Sequence, residues 1–286
     1  MAMTPELVAQ YHCLCGEGPL YDSTRDCVFW TDIDSGRLFR FDCATGQHRQ
    51  IYQGEMVGGF TLQADGQLVL FRVRDIVKFD PETGVLRKVR DFVDAGSSRF
   101  NDTSAGPGGE CFAGTIGSTN ESGGLFLLTA KGEFKELFRG TGCANGMGWS
   151  PDRRTMYWTC STRNVIFAYD FDAATGKMNG EREFHCVTDR ATFGTCDGLT
   201  VDAEGTVYSA RWDGRAIYLL APDGTAKGKI DMPVPKVTSM CFGGKGLADL
   251  YITTASRNDG AAGAGGLYRL VMGVRGQEEF RSRVGA

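Results

Sequence analysis

The sequence predicts an all-β protein, a six-bladed β-propeller with four antiparallel strands per blade and an axial metal site. Three observations carry this. A strand closing on a Gly turn recurs six times. A strand, a polar turn and a second strand precede each copy. No segment longer than a turn or two has helical periodicity, and the 40 glycines are scattered along the chain, as many tight turns require.

The closing strands are "GRLFRFDCATG" (36–46), "RDIVKFDPETG" (74–84), "GGLFLLTAKG" (123–132), "NVIFAYDFDAATG" (164–176), "GRAIYLLAPDG" (214–224) and "GGLYRLVMGVRG" (265–276). Each alternates bulky apolar residues with others at period two, the mark of a half-buried strand. The preceding pairs of strands are "EGPLYDSTRDCVFWTDI", "GGFTLQADGQLVLFRV", "NDTSAGPGGECFAGTI", "NGMGWSPDRRTMYWTCS", "DGLTVDAEGTVYSARW" and "TSMCFGGKGLADLYITT". A fourth strand fits the links, as in 46–54 and 133–140. The repeat of about 45 residues is that of a propeller blade. Six blades use nearly the whole chain, so residues 1–286 read as one domain. "TPELVAQYH" fits either a short helix or a strand that closes the ring.

A net charge of −4 gives no basic field for nucleic acid. No apolar run approaches the length of about 20 residues that spans a bilayer. The first residues lack a basic start followed by an apolar stretch. The ten cysteines sit singly in strand-like contexts, with no Cys-x-x-Cys, and read as buried free thiols. The expected compartment is the cytoplasm. Assembly into a homo-oligomer is left open.

Aligned by apolar pattern, the first strands of the six units are each preceded by one residue: Glu17, Gly58, Asn101, Asn145, Asp197 and Ser239. The innermost strand of a blade lines the central channel, so these positions face one axis from six directions. Glu17, Asn101, Asn145 and Asp197 would converge there. Two carboxylates held close repel or take up a proton unless a cation lies between them. All four side chains offer oxygen, which suits hard divalent ions.

At these residues the chain resembles the regucalcin (senescence marker protein)/gluconolactonase family, from about residue 12 onward and in unbroken order. The resemblance implies a propeller with one divalent metal in its channel and hydrolysis of sugar lactones. It implies metal ligands at Glu17, Asn145 and Asp197 and substrate binding by the segment holding Arg99, Asn101 and Asp102. A substrate-binding carboxylate found in some relatives falls near Glu121. The chain departs from the family at Asn101-Asp102-Thr103-Ser104 and at Thr159-Cys160-Ser161, close to where sugar hydroxyls would be read. Oxygen ligands do not choose among Ca²⁺, Mn²⁺, Mg²⁺ and Zn²⁺.

The chemistry expected is attack of water on a metal-polarised lactone carbonyl, with Asp197 as general base. Two other readings stay open: a phosphoester or organophosphate hydrolase on the same site, and a non-catalytic calcium-binding propeller.

Overall fold

The computed structural model describes residues 4–285. Their strands form six four-stranded antiparallel sheets. Each inner strand contacts the inner strands of both neighbours, so the six sheets close into a ring as blades. The inner strands are Gly16–Asp22, Val57–Leu62, Ser97–Ala105, Ala144–Trp149, Thr195–Val201 and Val237–Gly243, in blades one to six. Among the described residues helix is confined to Arg190–Phe193 and the 3₁₀ turn Lys245–Leu247. Among the described residues no helix is long and apolar enough to cross a membrane.

Most of the apolar core packs between blades. Phe29, Leu38 and Tyr52 of blade one meet Phe60, Leu70 and Phe79 of blade two. Val69 and Phe71 of blade two meet Phe100 and Cys111 of blade three. The two faces of a strand alternate, so each sheet buries both faces against its neighbours. Outer strands such as Leu86–Asp91 and Ala226–Asp231 are mostly exposed, because nothing covers them. All ten cysteines are free, and seven are buried.

The segment expected to be either a helix or a ring-closing strand is a strand. Glu6–Gln10 supplies the outermost strand of blade six, pairing with Gly266–Val271. At the rear of the ring, residues 277–284 run across the channel. Gln277 Nε2 donates to Trp149 O at 3.0 Å and Val201 O at 3.2 Å. Arg281 reaches Asp22 Oδ1 at 2.6 Å, and Ser282 N donates to Leu62 O at 2.8 Å. This strap ties blades four, five, one and two together on one side.

Candidate active site

One irregularity places the axial residues. In every blade the pairing of the inner strand with the second strand slips by one residue near the axis. The slips fall between Glu17 and Leu20, Val57 and Gly59, Phe100 and Thr103, Ala144 and Met147, Cys196 and Leu199, and Val237 and Ser239. A bulge bends the strand and re-aims the side chain beside it. The axial residues therefore lie inside their strands, not just before them as the sequence suggests.

Glycines let the bulged strands approach. A Cβ on Gly146 would stand 2.3 Å from Leu199 N, and one on Gly198 would stand 2.3 Å from Ser239 Oγ. Gly18, Gly146 and Gly198 each follow an axial residue, whereas Asn101 is followed by Asp102. Asp102 therefore brings a carboxyl where three other blades have none. It faces a rear cavity of about 90 Å³ that it shares with Glu279 of the strap.

At the front, Glu17, Arg99, Asn101, Asn145 and Asp197 line a single cavity of about 210 Å³, together with Ser161, Trp212 and Arg257. Blades one, three, four and five thus deliver their predicted residues to one place. Glu121 is exposed on the 118–122 loop, where its N–H donates to Thr119 Oγ1 at 3.4 Å, and it does not line this cavity.

A directional chain of hydrogen bonds links three blades. Arg99 Nη1 donates to Asn101 Oδ1 at 2.7 Å. Asn101 Nδ2 donates to Asn145 Oδ1 at 2.9 Å and to Ala144 O at 2.8 Å. Asn145 Nδ2 donates to Ser161 Oγ at 2.8 Å, and Ser161 Oγ donates to Cys196 O at 2.6 Å. A guanidinium can only donate and a carbonyl can only accept, so the two ends fix both amides. Asn145 thereby keeps its oxygen toward Asn101 and the axis. Ser161, expected near the sugar hydroxyls, spends its hydroxyl holding Asn145. Its neighbour Cys160 is fully buried against Thr141 and reads no substrate. Sequence reasoning missed this role because Ser161 lies on a turn whose partners come from two other segments.

The electrostatics are those of a site short of positive charge. Asp197 is 6% exposed, and its carboxylate gains nothing from a hydrogen bond. Burial, then the charge of Asp102, raises it well above the usual carboxylate range, against the pull of Arg99. Burial also raises Glu17, with Asp102 and Asp197 adding to it, while the Gly18 N–H and Arg99 oppose. Asp102 is pushed up to about 7 by burial, with Arg99 opposing. Burial pushes the Cys143 thiol, which also lines the cavity, up to about 12, so it stays protonated at neutral pH.

A divalent cation fits this donor set. Two buried carboxylates and an oriented amide oxygen share a cavity, and Asp197 has no other partner. Among the described residues no group of three or more His, Cys, Asp or Glu side chains gathers to hold a metal. Hard oxygen donors with open positions suit Ca²⁺ or Mg²⁺ better than a thiolate-seeking ion.

Fold and site together define a class. The model of the SMP-30/gluconolactonase/LRE-like region matches residues 15–256, and the chain belongs to this family. Over 99% of both chains it is 38% identical to the pentonolactonase of Haloferax volcanii. It is 31% identical to the 6-deoxy-6-sulfogluconolactonase of Pseudomonas putida, over 91% of this chain and 90% of that one. The crystal structure of regucalcin from Agrobacterium tumefaciens, described as a calcium-binding protein, superposes with a TM-score of 0.92 at 25% identity, covering 99% of each chain.

Proposed function

We propose that this protein is a metal-dependent hydrolase of sugar lactones. The observation that carries the reading is the convergence of Glu17, Asn145 and Asp197 on one cavity that also holds Arg99 and Asn101. The two lactonase relatives support the substrate class. Regucalcin's description as calcium-binding supports a divalent ion, with Ca²⁺ as the first to try.

Glu17, Asn145 and Asp197 would hold the cation, which supplies Lewis-acid polarisation of the lactone carbonyl and stabilises the charge developing on its oxygen. Asp197 takes a proton from water as the water oxygen bonds to the carbonyl carbon. The acyl–oxygen bond of the ring then breaks. Asp197 returns the proton to the ring oxygen, which leaves as a hydroxyl, and the product is the open aldonic acid. Arg99, fixed by its bonds to Phe100 O and Asn101 Oδ1, offers its remaining donors to substrate oxygens. Asn101, held to Asn145, presents the substrate beside the ligands. Glu121 would reach substrate only from the rim loop.

The compartment in this reading is the cytoplasm, supported by ten free cysteines. The test is a lactonase assay on five- and six-carbon aldonolactones, with Ca²⁺, Mn²⁺, Mg²⁺ or Zn²⁺ supplied after chelation. Ring opening that needs an added divalent ion is the expected result. Turnover that survives thorough chelation removes the metal from the mechanism. Turnover of an aryl phosphotriester but of no lactone would favour the phosphoester hydrolase.

A further inference from the structure

Trp212 and Arg257 line the cavity without a part in the chemistry above. Strand pairing sets the end of each second strand beside the start of its inner strand, as in Gly16 with Asp32, Thr195 with Trp212 and Val237 with Thr254. The residues just beyond those ends form the front rim. Asp34 stands there in blade one, Trp212 in blade five and Arg257 in blade six. The ring order puts blade six across from blade three, which carries Arg99 and Asn101. A lactone whose carbonyl lies by the axial residues and Arg99 therefore extends its far carbons toward Trp212 and Arg257.

Arg257 is not a free cation. Its Nε donates to Asp34 Oδ2 at 2.8 Å, and its Nη2 donates to the same oxygen. The second Asp34 oxygen and Arg257 Nη1 have no protein partner among the described residues. The guanidinium also lies 6.0 Å from the centre of the Trp212 ring. Just outside the cavity lining, Asp34 thus offers one acceptor beside one donor of Arg257, on a pair with no net charge, next to an aromatic wall whose other cation, Lys236, is itself paired with Asp213. Neighbouring sugar hydroxyls complement such a pair. An unpaired Arg would instead favour a phosphate or sulfonate. The cavity of about 210 Å³ opens to solvent and has room for a sugar ring.

We infer that Arg257, Asp34 and Trp212 determine specificity by selecting a lactone with a neutral, hydroxylated tail over one bearing an anionic group at its far end. The inference rests on the lactonase reading and narrows its substrate class.

The test compares kcat/KM for three substrates: a neutral six-carbon aldonolactone, 6-deoxy-6-sulfogluconolactone, and a γ-lactone without hydroxyls. The wild type should favour the neutral sugar over the sulfonated one by about tenfold or more. Asp34→Asn uncovers the guanidinium charge, and should move that ratio toward the sulfonated substrate by about tenfold. Arg257→Gln should raise KM for the aldonolactone by about tenfold with kcat nearly unchanged. The hydroxyl-free lactone should be turned over equally by all three proteins. Preference for the sulfonated lactone by the wild type, or a ratio unmoved in Asp34→Asn, overturns the inference. So does a parallel loss on the hydroxyl-free lactone, which would make the pair merely structural. Hydrolysis of no lactone by the wild type would reject the lactonase reading itself, and the rim's role with it.

Discussion

Asn101 Nδ2 donates to Asn145 Oδ1 across 2.9 Å, joining blades three and four at the axis. On its other side Asn145 leans on Ser161. The proposed amide ligand is thus held from both ends by residues that need not touch the cation. Groups that orient a ligand are commonly worth 10–100-fold in metal affinity. Ser161→Ala removes the acceptor of Asn145 Nδ2 and should weaken cation binding by about tenfold or more. Calorimetric titration with Ca²⁺ measures this, and an unchanged affinity would show that the amide needs no such support.

Asp197→Asn separates chemistry from fold. The substitution removes the proposed base, so kcat should fall by at least about 100-fold. The same change removes a buried carboxyl whose ionised form no hydrogen bond supports. Without cation at neutral pH, the variant should therefore melt no lower than the wild type. Near-normal turnover, or a large drop in the cation-free Tm, would contradict one half of this argument each.

Proton release should accompany cation binding. In the cation-free protein Glu17 and Asp197 are both raised well above the usual carboxylate range. Asp102 is raised to about 7. A cation binds the ionised forms, so affinity should fall as pH drops below neutral. The sign for stability follows the same way. The folded state binds more protons than the unfolded chain, so these groups lower cation-free stability as pH rises from the unfolded carboxylate range through their folded values. Saturating Ca²⁺ should remove that slope. Binding enthalpies that do not change with the ionisation enthalpy of the buffer would mean that no protons are released.

Close strand approach predicts a contrast between two glycines. A Cβ on Gly146 would meet backbone atoms of blade five, 2.3 Å from Leu199 N. Gly146→Ala should cost about 3 kcal/mol or more, because backbone cannot turn aside. Gly46 has a φ of 71° but nothing within 4 Å of an added Cβ. Gly46→Ala should cost only about 1–2 kcal/mol, from its left-handed backbone alone. Urea unfolding of both variants makes the comparison, and equal losses would dismiss the steric account.

The repeat made the six blades legible, since each must present a half-buried strand at the same interval. The register of the inner strands then brought Glu17, Asn101, Asn145 and Asp197 to one axis. The bulge that turns them inward left only an indirect mark, the glycine after Glu17, Asn145 and Asp197. Asp102, expected beside Arg99 and Asn101 toward substrate, stands where the others have glycine and lines the rear cavity instead. Ser161, Trp212 and Arg257 were out of reach, because each acquires its role from partners in other blades. The strap at 277–284 shows no alternation, because its bonds run to the ring and not to a neighbouring strand.

Blade six takes one strand from residues 6–10 and three from residues 237–271. A chain emerging from the ribosome therefore carries Glu17, Asn145 and Asp197 long before the last clasp is fastened. Cation capture should be a terminal event of maturation, and a nascent chain would await its final strands with an unguarded sheet edge.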